Sequence, residues 1–219
     1  MTLHNILKKG SEMASRFLLS ALMLLGSTSL AHAQSASAPI YSVGDTWTRQ
    51  DRDGKFTLSV VKLENGGMWM SGRLRKCRDC LVFISEGRIL KVTHPDGSDV
   101  DVTRSEFVPQ GPDWKFYYFP LEVNKPWTLD ARGYSPVSIS AQFHIDFRVV
   151  AYEDVKTLAG VFKAYRIQRS WLYKWPGSVE SLVRWNDTVW WAPEVRSEVK
   201  FEASRPEIKN WELSSFSVK

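Results

Sequence analysis

Two cysteines and four histidines are spread over 219 residues. A structural zinc site takes four ligands, and this supply is too scattered to make one. The chain has no G-x-S-x-G, no H-E-x-x-H, no P-loop and no dinucleotide fingerprint. No catalytic set, metal site or cofactor is therefore read from it. An excess of charge of one sign is also missing. The formal charge is +5, and setting aside residues 1–33 removes Lys8, Lys9, Arg16 and Glu12, which brings it to +3. So small a charge, with Lys and Arg spread along the chain, leaves no nucleic-acid footprint and no polybasic membrane patch. The one long apolar run, FLLSALMLL from Phe17 to Leu25, is nine residues, too short to cross a bilayer.

That run belongs to a secretory signal. Lys8, Lys9 and Arg16 supply the basic region, and Ala31-His32-Ala33 is a small-x-small cleavage site before Gln34. Met13 would begin a shorter signal of the same kind. No Cys stands at the cut, which argues against a lipid anchor, and there is no twin Arg. The expectation is a periplasmic or secreted protein cut after Ala33, with no transmembrane segment afterwards. In an oxidising compartment the default for Cys77 and Cys80, in KCRDC, is a disulfide. A thioredoxin-like C-x-x-C opens a helix in a βαβ setting. Here MWMSGRLR and LVFISEG flank it and read as strands.

What is abundant is tryptophan, ten in all, each beyond residue 33. Most alternate with aliphatics, which points to a core built on large rings. From Val137 to Ala151 every odd position is apolar, and Ser138, Ser140, Gln142, His144, Asp146 and Arg148 fill the even ones. That is the period of a strand, and its length requires a bend. Tyr165, Ile167, Arg169, Trp171, Tyr173 and Trp175 share a parity, as do Val183, Trp185, Val189 and Trp191. Turns are read at Asp51-Arg52-Asp53-Gly54, Asn65-Gly66-Gly67, Gly87 and His94-Pro95-Asp96-Gly97. Residues 103–116 read as a crossing loop, and WELSSFS, near the end, as an edge or closing strand. No segment carries a capped helical stripe.

The predicted fold is all-β: a curved antiparallel sheet, a half-barrel or a barrel-like sandwich. Its 186 residues after the signal suit one unit of two similar half-sheets, 34–118 and 119–219. A short echo supports the halves: Val43 to Trp47-Thr48 and Val123 to Trp127-Thr128. Each is expected to open a run of strands. Gly44 or Asn124 would sit at a turn, with Val and Trp anchoring the core.

The second half reads FPLEVNKPWTLD, EDVKTLAGVFKAYRI and WWAPEVRSEVKFE in order. This set resembles a group of uncharacterised exported bacterial β-proteins. The matching residues are Pro120, Leu121, Val123 and Trp127, then Val155, Ala159, Gly160, Phe162, Ala164 and Ile167, then Trp190, Trp191, Pro193, Glu194 and Val195. Asn124 stands where Gly is common, and Leu158 where Pro is. The resemblance implies compartment and fold, not chemistry. It makes Ala159-Gly160 a tight turn, Phe162 a core plug, and Pro193 the end of a strand. A looser likeness, of architecture only, is to periplasmic half-barrels that carry lipoproteins.

Three functions are left open. The first is a non-enzymatic envelope protein holding an apolar small molecule, a lipid or a lipidated partner in a β cavity. That cavity would be lined by Trp171, Tyr173, Trp185 and Trp191, with Trp175 at the end of the WLYKW run. The second is a carbohydrate- or cell-wall-binding module with Trp114, Trp171, Tyr173 and Trp175 as exposed stacking rings. The third is a scaffold subunit of an envelope complex. His144 and Asp146 share a strand face with Ser138 and Ser140, which is how the polar side of a half-exposed strand ordinarily looks.

Overall fold

The alternating segments become strands. The computed structural model describes residues 35–74, 77–85, 88–98, 115–134, 140–174 and 182–219. The signal segment, Trp114, Trp175, Gly87 and Ser138 lie outside the described residues. No helix occurs among those described, and none could cross a membrane. The strands are β1 (Ser35–Ala36), β2 (Thr46–Asp51), β3 (Gly54–Glu64), β4 (Gly67–Leu74), β5 (Cys77–Ser85), β6 (Arg88–Thr93), β7 (Leu121–Glu122), β8 (Pro126–Tyr134), β9 (Ser140–Thr157), β10 (Gly160–Lys174), β11 (Leu182–Ala192), β12 (Ser197–Ala203) and β13 (Trp211–Ser217).

Eleven strands form one antiparallel sheet in the order β6-β5-β4-β3-β2-β13-β12-β11-β10-β9-β8, and β1 pairs with β7 separately. The sheet is not closed: β6 and β8 are its ends. The chain runs as two meanders. β2 to β6 step outward from the middle, and β8 to β13 step inward from the far end. The C-terminal β13 then pairs with β2 from Trp211↔Asp51 to Ser217↔Thr46. WELSSFS is thus an interior strand joining the two runs, not an edge.

The echo is reproduced bond for bond. Asp45 N–H donates to Ser42 O (3.0 Å) and Lys125 N–H to Glu122 O (3.1 Å). Gly44 N–H donates to Val60 O (2.8 Å), and Asn124 N–H to Val149 O (2.7 Å). Val60 N–H returns to Asp45 O, and Val149 N–H to Lys125 O. Gly44 (φ 93°) and Asn124 (φ 72°) take the left-handed backbone that the third position of such a turn demands. Trp47 and Trp127 are buried, as expected. Val43 and Val123 are not: they are 48% and 41% exposed. They occupy the second turn position, outside the strand, so the anchoring falls to Trp alone.

The other turns match their residues. Asn65 and Gly66 both have positive φ in the hairpin that pairs Glu64 with Gly67. Asp53 N–H donates to Asp51 Oδ1 (2.7 Å) in the β2–β3 turn, and Gly97 N–H to His94 O (2.9 Å). β11 ends at Ala192, before Pro193. The Thr157–Gly160 hairpin also carries a long-range bond, from Ala159 N–H to Leu213 O of β13 (3.0 Å). β9 and β10 therefore bend across the sheet toward its middle.

Bulges decide which way the side chains point. The register shifts between Arg166 and Ile167 opposite β9, and between Trp190 and Trp191 opposite β12. Ile145, Phe147, Val149, Tyr165, Ile167, Val189 and Trp191 enter one core with Trp127 and Leu129. Val155, Phe162, Ala164, Trp190 and Ala192 enter a second with Trp47, Val60, Val199 and Leu213. β9 is eighteen residues long and serves both cores. Adjacent Trp190 and Trp191 lie on opposite faces, each buried.

Candidate functional site

The first core is built from rungs where β10 crosses β11: Tyr165↔Trp191, Ile167↔Val189, Arg169↔Asp187, Trp171↔Trp185 and Tyr173↔Val183. Direct cross-strand neighbours share a face, so strand parity alone assembles this column. Trp171 and Trp185 stack at 5.1 Å with 10° between planes, and Arg205 lies 5.7 Å over the Trp185 ring. Tyr173 meets Phe143 of β9 edge to face at 4.5 Å. These rings are half-buried. Trp191 is buried and packs on Phe119, 5.2 Å away. Trp171, Tyr173 and Trp185 therefore form one aromatic row, and Trp191 stands at the other end of the column.

Between the two ends lies a rung of charge. Arg169 Nε–H donates to Asp187 Oδ1, and Trp171 Nε1–H donates to Asp187 Oδ2 (2.7 Å). The next carboxylate, Glu198 of β12, accepts a hydrogen bond from Tyr117 and lies 3.7 Å from Arg49 of β2. Arg49 also donates to Ser197 Oγ (3.1 Å) and covers Trp211 at 3.9 Å. Burial lowers the Arg49 guanidinium from its usual value, opposed by Glu198. Burial pulls Arg169 the same way, but Asp187 and Glu198 outweigh it and hold the guanidinium protonated. Burial, then Glu198, pushes the Tyr41 phenol up to about 12 and the Tyr117 phenol well above its ordinary value. Two guanidiniums face two carboxylates, and neither phenol is ready to ionise. The network binds β2, β10, β11, β12 and residues 115–120 together. It offers no nucleophile.

A groove of about 550 Å³ opens beside Trp191. The rings of Tyr152, Tyr165 and Trp191, with Pro193, make one side, and Ser35 to Ile40 make the other. Tyr152 and Tyr165 are 4.6 Å apart, centre to centre. Arg196 stands at the end, in a left-handed conformation (φ 58°). It donates to Ile40 O (2.8 Å) and Lys219 O (2.7 Å), and lies 3.5 Å from the fully buried Asp45. Asp45 also accepts from the Ser42 and Lys219 N–H groups. Of the residues proposed for a site in the sequence, Trp191 lines this groove. Tyr152, Tyr165 and Arg196 were not among them, though Tyr165 sits in an alternating run and Tyr152 directly follows one.

On the opposite, polar face, His144 Nδ1 is 2.7 Å from Asp130 and Nε2 is 3.3 Å from Asp146. The hydrogen bond to Asp130 raises the imidazole above its usual value against the opposing effect of burial, and Asp146 adds to the rise. The two flanking carboxylates favour the protonated imidazole. No cluster of three metal-ligating side chains is found among the described residues. Cys80 is buried. The pairing with Cys77 rests on a side chain outside the described residues.

The sequence matches no family model and no curated protein. Three crystal structures are similar in fold. A candidate lipoprotein from Parabacteroides distasonis is 14% identical with a TM-score of 0.48, covering 84% of this chain and all of that one. A candidate exported protein with a YmcC-like fold from Bacteroides fragilis is 15% identical at 0.47, covering 83% and 99%. The hypothetical lipoprotein YmcC from Escherichia coli is 11% identical at 0.44, covering 82% and 90%. At these values the likeness assigns neither family nor activity.

Proposed function

We propose that this is an exported, non-enzymatic protein of the bacterial cell envelope that binds a small amphipathic ligand, an acyl chain with an acidic head, in the Trp191 groove. The observation that carries this reading is the groove itself. Its volume lies in the range of small-molecule sites, and its lining includes three aromatic rings and Arg196, which is bonded to Ile40 O. Rings contribute apolar contact to a chain, and Arg196, which already bonds Ile40 O, Lys219 O and Asp45, has its remaining N–H groups for a carboxylate or phosphate. Export follows from the signal-like first 33 residues. The non-enzymatic part is supported by the sequence, which carries no recognised catalytic set, and by Tyr41 and Tyr117, whose phenols burial holds neutral.

A second reading has its own observation. The half-buried Trp171–Trp185 stack beside Tyr173 is a surface on which a sugar ring could lie. Tyr152 is half-buried, so Tyr152→Ser can be made without emptying a core. Native mass spectrometry of the exported protein is expected to find a bound acyl ligand, and Tyr152→Ser is expected to lose it while Trp185→Ala keeps it. Loss on Trp185→Ala alone, with glycan fragments quenching tryptophan fluorescence, would favour the sugar reading. No ligand in either case, and no quenching, would remove both.

A further inference from the structure

Six of the eleven residues around the groove belong to one extended segment, Ser35 to Ile40. The far side is rigid: Tyr165 and Trp191 are cross-strand partners inside a packed core. The near wall is held differently at its two ends. At Ile40 the backbone oxygen accepts from Arg196, which also grips Lys219 and Asp45, and Tyr41 Oη donates to Arg196 O (3.2 Å). At the other end the hold is a two-residue ladder, Ser35↔Glu122 and Ala36↔Leu121. Only Ala36 of this stretch is buried; Ser37 and Ala38 are exposed. Pro39 has no N–H to give. A ladder of two residues is a weak strand pairing, and a cut after Ala33 would place it at a chain end, where opening takes the least free energy.

Resting on the groove as the binding site, we infer that residues 35–40 are a clamp. The segment swings about Ile40, releasing β1 from β7 to admit an acyl chain, and closes over it against Tyr152, Tyr165 and Trp191. The acidic head meets Arg196 at the hinge end, where the guanidinium is already part of the wall. The clamp is a wall, not a plug, so closure contributes contact with the ligand and opening governs how fast it enters.

The test uses the exported protein, Gln34 to Lys219, with dansyl-labelled undecanoic acid as the probe. Ser35 and Glu122 are exposed and directly opposed, so Ser35→Cys with Glu122→Cys can bolt the clamp shut on oxidation. Peptide mapping confirms the new pairing. Oxidation is expected to slow probe association by about tenfold or more, with reductant restoring the rate, because entry then waits on a rare open state. Ala36→Asp, which drives a charge out of the core and the clamp with it, is expected to weaken the probe about tenfold by raising its dissociation rate. If the probe binds and Tyr152→Ser weakens it, but both clamp variants keep the parent rates, the clamp is overturned and the groove stands. If the probe binds neither the parent nor the reduced variant, the groove reading itself falls and the clamp with it.

Discussion

The Arg169–Asp187 rung is the residue-scale feature with the largest energetic consequence. Both side chains are almost fully buried, and each has the other as its principal partner. A buried ion pair contributes little net stability over an apolar pair of similar shape, but removing one member strands the other charge. Asp187→Ala is therefore expected to cost about 3–5 kcal/mol, read as a fall in the urea midpoint. Arg169→Met with Asp187→Leu is expected to recover most of that loss. A single variant with an unchanged midpoint would show that the pair is solvated. His144 gives a smaller, pH-dependent effect of opposite character to a buried carboxylate. Its folded value is raised, so its contribution is complete below about pH 6.5 and is lost as pH rises through the folded value. Because the group is largely exposed, the loss is expected to be a few tenths of a kcal/mol. His144→Gln should flatten that part of the stability–pH curve. An unchanged slope would mean the two carboxylates do not hold the proton.

At the scale of elements, the echo makes a paired prediction. Gly44 and Asn124 hold the same turn position with positive φ. A side chain at Gly44 would also meet Lys219 Nζ at 2.9 Å. Gly44→Ala and Asn124→Ala are each expected to cost about 1–2 kcal/mol, whereas Asn124→Gly should be tolerated. Equal stability of all three by thermal unfolding would mean the turns are not strained. Cysteine chemistry belongs to this scale as well. Cys77 and Cys80 pair with Leu74 and Gly72, which are only two residues apart, so β5 carries an extra residue between its cysteines. That bulge shortens the distance a disulfide must span. The exported protein is expected to show no reactive thiol in denaturant, and two thiols per chain would rule the bond out. Elements were the most legible level of the sequence. Period-two alternation marked β9, β10 and β11, Ala159-Gly160 and Pro193 marked their limits, and Asn65-Gly66 marked the turn between β3 and β4. Bulges were not legible, because one extra residue reverses parity without changing composition. The extra residues lie in β9 and β12, so Val149 and Val155, like Phe201 and Val199, share a parity yet enter different cores. The charge network was hidden for a different reason: Arg49 and Glu198 meet only through strand order, which no local pattern encodes. The groove was hidden likewise, since its wall comes from residues 35–40 and its rings from β9, β10 and β11.

For the whole molecule, the decisive element is the last one. β13 is the strand by which the meander that ends the described chain pairs with the one that starts it, and Leu213 within it is fully buried. Its pairing with β2 runs from Trp211 to Ser217, but with β12 only Lys200↔Glu212 and Phe201↔Trp211 are in register. So short a ladder would be a weak seam by itself. Other contacts reinforce it: Arg49 reaches from β2 to Ser197 and Glu198 of β12, Trp47 Nε1 donates to Val195 O (2.7 Å), and Ala159 N–H reaches Leu213 O. All of them join one half of the chain to the other or fold the β9–β10 hairpin onto the joint. Neither meander keeps its share of the second core if the other leaves, because Trp47 and Val60 come from the first and Phe162, Val195 and Val199 from the second. Unfolding is therefore expected as one cooperative transition, with tryptophan fluorescence and far-ultraviolet dichroism superimposing. Arg49→Ala should lower the midpoint while keeping the transition single. Deleting residues 211–219 should abolish cooperative unfolding altogether. Two separated transitions in the parent protein would mean that the halves are independently stable and that the joint at β13 is ornamental.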